Sequence, residues 1–175
     1  MDMALRCFLF SSDEGTSDLI RQVLTGLGVE GESCCQATTA VEKLAQEVSL
    51  WPHVSVHPHR FGGREFRIGN AEIGHVHTGG VVDIPFPRSV RDALLTAGLA
   101  QEHRWVPNSG WITFQIRGET DFKHAVWLMR LSYLRYALKR ASDPRRVLDE
   151  YSEELQLSPQ FKSLLEPFVP SSAVA

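Results

Sequence analysis

Glu72-Ile73-Gly74-His75-Val76-His77-Thr78-Gly79-Gly80-Val81-Val82-Asp83-Ile84-Pro85-Phe86 is the stretch on which the fold turns. Two runs rich in β-branched and apolar residues, 72–77 and 81–86, flank Thr78-Gly79-Gly80, a composition that reads as a hairpin connection. Successive side chains of a strand point to opposite faces, so His75 and His77 share one face of the sheet. Pairing the two runs across the turn brings Asp83 near His77, where a carboxylate orients an imidazole and raises its basicity.

Working outward, His53–His57 and Arg64–Ile68 read as further short strands, separated by Phe61-Gly62-Gly63 and Gly69-Asn70. Short loops between short strands predict antiparallel pairing. Pro87 opens a helix over Arg88–Ala97, closed by Gly98, and His103–Val106 and Trp111–Ile116 flank Pro107-Asn108-Ser109-Gly110 as two more strands. The run from Asp121 to about Arg140 carries a broad apolar face, from Phe122 and Ala125 to Leu134 and Leu138, and covers the sheet. Upstream, Val41, Leu44, Ala45 and Val48 form the buried stripe of a helix from Thr38 to Leu50, with Thr38 or Thr39 as N-cap and Glu42 in capping-box reach. The first 36 residues read as strand, helix and short strand: Cys7–Phe10 is compact and apolar, and Leu19, Ile20, Val23, Leu24 and Leu27 recur at helical spacing up to Gly28. Beyond Asp143-Pro144, two short helices follow, around Val147–Leu155 and Phe161–Leu165, and Ser171–Ala175 is expected to fray. The expectation is an α+β fold, a mainly antiparallel sheet covered by the helices at 88–97 and 121–140. It divides into a βα appendage at 1–37, an α+β domain at 38–142 and a helical tail at 143–175.

Composition narrows the function classes. At 175 residues and 43% hydrophobic, the chain is long enough for a real core. A net charge of −3 leaves no electrostatic footprint for nucleic acid, and the local cluster from Arg130 to Arg146 reads as a solvated helix end. Cys7, Cys34 and Cys35 are an odd set containing a neighbouring pair, which reads as reduced cytoplasmic thiols. The apolar run Ala4–Phe10 is too short and too poorly flanked for a signal peptide or membrane span. No Gly-x-Ser-x-Gly elbow, Cys-x-x-Cys pair or Walker motif occurs, which argues against the classical serine-hydrolase, zinc-ribbon and nucleotide-hydrolysing classes.

The histidines carry the chemistry. Five of the seven lie between residues 53 and 77, with a second His-x-His at His57-Pro58-His59. Two readings use the same residues. In one, His75 or His77, backed by Asp83, takes the proton of an acidic enol or phenol and leaves an anion able to react with oxygen. In the other, His75, His77 and a third ligand, His57 foremost with His59 or Asp83 as alternatives, hold a single divalent metal ion with open positions. Arg64, beside the Gly62-Gly63 turn, is a clamp for an anionic substrate group. The plainer reading has Asp83 capping a turn and both histidines bonded to backbone.

The segments Gly62-Gly63-Arg64-Glu65-Phe66, Glu72–His77, Val82–Pro87, Ser109–Phe114 and Ala125–Tyr133 together resemble the bacterial branch of the fungal-luciferase-type domain family. The resemblance covers roughly residues 40–140. It implies an oxygen-using enzyme without flavin or haem and carries His75 and His77 over as site residues, with Trp111 and Phe114 as substrate contacts. The fungal proteins have a membrane-anchoring N-terminus and an Asp- and His-rich segment after the second histidine; Thr78-Gly79-Gly80 stands there instead. The N-terminal segment resembles the start of a response-regulator receiver domain, but Ser11 and Ser12 occupy the positions of its acidic pair. That departure argues against phosphotransfer. Two function classes follow: a small oxygenase-like enzyme acting on an enolisable or phenolic molecule, or a non-catalytic binding module whose N-terminal segment meets a protein partner.

Overall fold

The computed structural model describes residues 31–170, with side chains from residue 40. The receiver-like segment and the terminal Ser171–Ala175 lie outside the described residues.

The described chain is α+β. Helix α1 (Gly31–Ser49) leads into strands β1 (Val54–Pro58), β2 (Arg64–Ile68), β3 (Ala71–Val76) and β4 (Val81–Pro85). Helix α2 (Arg88–Thr96) follows, then β5 (Gln101–Glu102), β6 (Trp111–Gln115), α3 (Glu119–Leu138), α4 (Pro144–Glu154) and α5 (Pro159–Leu165). The six strands form one antiparallel sheet in the order β1-β2-β3-β4-β6-β5.

Two expected boundaries move. Helix α1 begins at Gly31, so Thr38 and Thr39 are interior residues rather than caps, and the short strand expected just before them is helix from Gly31 onward. Its stripe is nonetheless Val41, Leu44 and Val48, all buried. The strand expected at His103–Val106 is not formed; a two-residue strand, Gln101–Glu102, lies just before it instead. The reason is local: His103 Nδ1 accepts from the backbone N–H groups of Trp105 and Val106, at 3.1 and 3.3 Å. A side chain that satisfies nearby backbone donors curls the chain away from a ladder.

Alternation sorts each central strand into two faces. Phe66, Ile68, Val76, Val82, Ile84 and Ile112 are almost fully buried on one of them, against apolar residues of α3. Burying about 25 cal/mol per Å² of apolar surface makes this layer the main stabilising contact of the fold. Helix α3 is buried on several sides, because α4 and α5 add Leu148, Phe161 and Leu165 to the same cluster. Trp127 Nε1 donates to the Leu155 carbonyl at 2.9 Å. Arg135 Nη2 donates to the Pro85 carbonyl at 2.6 Å, tying α3 to the end of β4. Both tail helices start on a capped Pro: Asp143 accepts from Arg146 N–H and Ser158 from Phe161 N–H. The opposite face of the sheet is where the polar residues gather. Among the described residues, no helix is long and apolar enough to cross a membrane.

Candidate functional site

A single row of directly opposed residues crosses all six strands: His57, Glu65, His75, Asp83, Thr113 and Gln101. Opposed residues of an antiparallel pair project from the same face, so the row is a polar strip on the side away from α3. Its middle is buried: Glu65, His75 and Asp83 are each 9% exposed or less. Burying that many ionisable groups is costly unless they satisfy one another.

They do so around Asp83. Its Oδ2 lies 3.1 Å from His77 Nε2, 3.4 Å from His75 Nε2 and 3.6 Å from His103 Nε2, and its Oδ1 accepts from Thr113 Oγ1 at 2.5 Å. His103 enters from the loop after β5; its Nδ1 is occupied as an acceptor, so Nε2 carries the proton directed at Asp83. On the far side of His75, Nδ1 meets Glu72 Oε1 at 2.5 Å. His59 stacks on His75 with ring centroids 4.0 Å apart and planes inclined by 16°, and its Nδ1 faces Glu65 Oε2 at 3.6 Å. Glu65 is held in turn by Arg67. Trp111 closes one flank, 5.4 Å from the His75 ring and 6.0 Å from the His103 ring.

Glu72 reaches His75 through a β-bulge. Phe66 opposes Gly74 but Arg67 opposes Glu72, so Ile73 is an extra residue in β3. On a regular strand, residues three apart face opposite ways; the bulge turns Glu72 onto the face of His75. Gly74 makes it sterically feasible. Its φ is +149°, and a Cβ there would sit 2.8 Å from Met129 Sδ and 3.1 Å from the Asp83 carbonyl oxygen.

The sequence-predicted residues divide by position. His75, His77 and Asp83 are together, and Trp111 is beside them. His57 stands in the same row but on edge strand β1, exposed, with its Nε2 2.9 Å from Ser55 Oγ. The third imidazole of the cluster is His59 instead, because the chain turns tightly after β1: His59 N–H donates to the Gly63 carbonyl at 3.0 Å. Ligand atoms of His59, His75 and His77 all lie within 4.8 Å of one another. Phe114 is on the helix-covered face, paired with Val82 and 4.8 Å from the His124 ring. Alternation separates it from Thr113 and hence from the cluster. Arg64 is exposed, and its Nη1 donates to the carbonyls of Gly62 and Gly63, closing its own turn. Sequence reasoning passed over Glu65, Glu72, His103 and Thr113. Three of these follow from register rather than from any local motif.

The charges are strongly coupled. Burial disfavours the His75 imidazolium, but the carboxylates of Asp83 and Glu72 outweigh it and raise the group to about 9. Burial and the neighbouring His75 push His59 the other way, downward, against the pull of Glu65. Asp83 is held below its ordinary range, since the bonds from His75 and Thr113 overcome its burial. A histidine whose folded value is raised contributes stability below its unfolded value of about 6.5 and loses it as pH rises through the folded value. Chelator-treated protein should therefore melt at progressively lower temperature between about pH 6.5 and 9, and Glu72→Gln should flatten that slope. A melting temperature independent of pH across this window would show that His75 does not carry the charge.

Comparison with curated proteins and with solved structures returned no match. The Luciferase domain family model does match, over residues 70–132, a stretch that runs from β3 into α3 and contains His75, His77, Asp83, His103, Trp111 and Thr113.

Proposed function

We propose that this chain is a small oxygenase-like enzyme acting on an enolisable or phenolic small molecule, with the histidine–carboxylate strip as its reaction centre. The observation that carries the reading is the convergence of three imidazoles on one buried carboxylate oxygen, Asp83 Oδ2, inside the stretch matched by the Luciferase domain. Isolated strand histidines satisfy themselves on backbone; three aimed at one carboxylate form a proton-handling array. Within it, the O–H proton of an enol or phenol passes to the cluster, Asp83 balances the charge gained, and the electron-rich anion left behind is oxidised by O2 as co-reactant. Trp111 supplies an aromatic wall beside His75 and His103 for a flat, unsaturated substrate.

Oxygen uptake with a panel of enolisable and phenolic compounds tests this. The wild-type chain should consume O2 with at least one class, and the double variant His75→Ala/His77→Ala should lose that uptake at a temperature where circular dichroism shows it folded. Removing both rings takes two partners from the buried Asp83 carboxylate, at a cost of about 1–3 kcal/mol, so the variant should also melt below wild type. Uptake in neither protein, or equal uptake in both, would overturn the enzymatic reading and favour a binding module.

A further inference from the structure

Outside the row, the described residues hold other unusual features. Arg135 is a buried cation, but it is spent on the Pro85 carbonyl and on Ser132. Arg130 lies 3.9 Å over the Trp51 ring with Glu47 alongside, a surface packing arrangement. Phe61 and Trp105 are exposed aromatics, with nothing else on the surface to name what would cover them. The histidine cluster has more order than proton handling requires.

We infer that His59, His75 and His77 hold one divalent first-row transition-metal ion, with Glu65 and Glu72 as the outer carboxylates that fix two of the three rings. The inference deepens the functional reading by adding a cofactor to the same site, and it does not depend on the substrate. Its basis is the pairing of nitrogens. A metal-binding histidine characteristically donates its second N–H to a carboxylate, which sets the tautomer and aims the free nitrogen at the ion. Here His75 Nδ1 meets Glu72 at 2.5 Å and His59 Nδ1 faces Glu65 at 3.6 Å. His75 is thus held at Nδ1 by a hydrogen bond, and His59 Nδ1 faces its carboxylate at the longer ion-pair distance, which leaves Nε2 of each ring as the freer nitrogen. Nε2 of His75 has only the longer 3.4 Å contact to Asp83, beyond the usual hydrogen-bond range of about 2.7–3.2 Å.

Spacing and charge agree with this. One ring nitrogen from each of the three histidines lies within 4.8 Å of the others, and a metal–nitrogen bond of about 2.0–2.1 Å asks for roughly 3.3 Å between ligands, a contraction within reach of side-chain rotation. Asp83, Glu65 and Glu72 are three carboxylates facing one fixed cation, Arg67. With the imidazoles neutral, two negative charges are left over, the charge of one divalent ion. Protonating two rings instead would place cations side by side in the 4.0 Å stack of His59 on His75. Three nitrogens with nearby oxygen suit iron, cobalt or zinc rather than calcium or magnesium, which take oxygen ligands. Such an ion would supply a positive centre for a substrate oxyanion; the residues' part is to hold it and to orient its ligands.

The test uses the full chain, stripped with chelator and titrated with Co2+, read by visible absorption, with Zn2+ and Fe2+ uptake measured by elemental analysis. The wild type should take up one ion per chain and melt at higher temperature with it. Glu72→Gln should weaken affinity by about 10–100-fold, and His59→Ala by more than that. His57→Ala, outside the cluster, should bind like wild type. No stoichiometric uptake by the wild type overturns the inference, as does a His59→Ala variant that folds and binds unchanged. Should His59→Ala fail to fold, Glu72→Gln decides, and unaltered affinity in it counts against the site. Oxygen uptake without bound metal would remove the ion and leave the enzymatic reading standing, whereas metal binding without oxygen uptake would do the reverse.

Discussion

Gly74→Val should remove a large fraction of the protein's stability and disorder the candidate site in the same step. Gly74 has a φ of +149°, a region that residues with a Cβ rarely adopt, and holding a β-branched residue there costs on the order of 1–3 kcal/mol. The new side chain would also press on Met129, which is fully buried, and on the Asp83 carbonyl oxygen, where overpacking adds about 1–3 kcal/mol. Set against the roughly 5–15 kcal/mol by which a domain is stable, the two effects bring the protein near its unfolding threshold. Urea titration measures the loss. A variant as stable as wild type would mean that β3 can shed its bulge, in which case Glu72 returns to the opposite face and its contact with His75 disappears. Either outcome makes the bulge, not the histidine motif alone, the feature that assembles the site.

That bulge also marks the limit of what the sequence makes legible. Strand identities followed from alternation and from glycine-rich turns, and the pairing of β3 with β4 followed from the three residues Thr78-Gly79-Gly80; the structure has both. His75 and His77 share a neighbourhood for the reason first argued, a period of two. Glu72 was hidden because the same period assigns it to the other face, and a one-residue bulge reverses the assignment without any signature beyond a glycine. His59 and His57 are equivalent by alternation; the tight turn after Pro58, with Phe61 at a φ of 55°, folds one toward β3 and leaves the other on the edge. His103 was taken for a strand residue, whereas it turns the chain by bonding the two backbone N–H groups beyond it. The polar row across the sheet is a property of register, and its longest step, Asp83 opposite Thr113, joins β4 to β6 across an intervening helix, a pairing that local patterns do not encode.

On the proposed function, in which the strip takes up a substrate proton, Asp83→Asn should lower oxygen uptake by about 10²–10⁴-fold, the range that a positioned acid–base group contributes. The carboxylate is 5% exposed and has three imidazole nitrogens and one hydroxyl directed at it, so its two oxygens act only as acceptors. An amide keeps the shape and can still accept from Thr113, but its NH2 group meets the N–H groups of His75, His77 and His103 donor to donor. The rings must change tautomer or turn away, and the charge that balances a proton gained from the substrate is gone. One readout needs no substrate. Because the Asp83 carboxylate helps raise His75 to about 9, its removal should lower the midpoint of the His75 ring titration followed by NMR, since imidazolium loses an opposite charge. A merely structural aspartate would leave the turnover unchanged once the fold is intact. Turnover within a few-fold of wild type together with an unmoved midpoint would therefore remove Asp83 from the reaction centre, and a shifted midpoint with full turnover would separate its electrostatic role from catalysis.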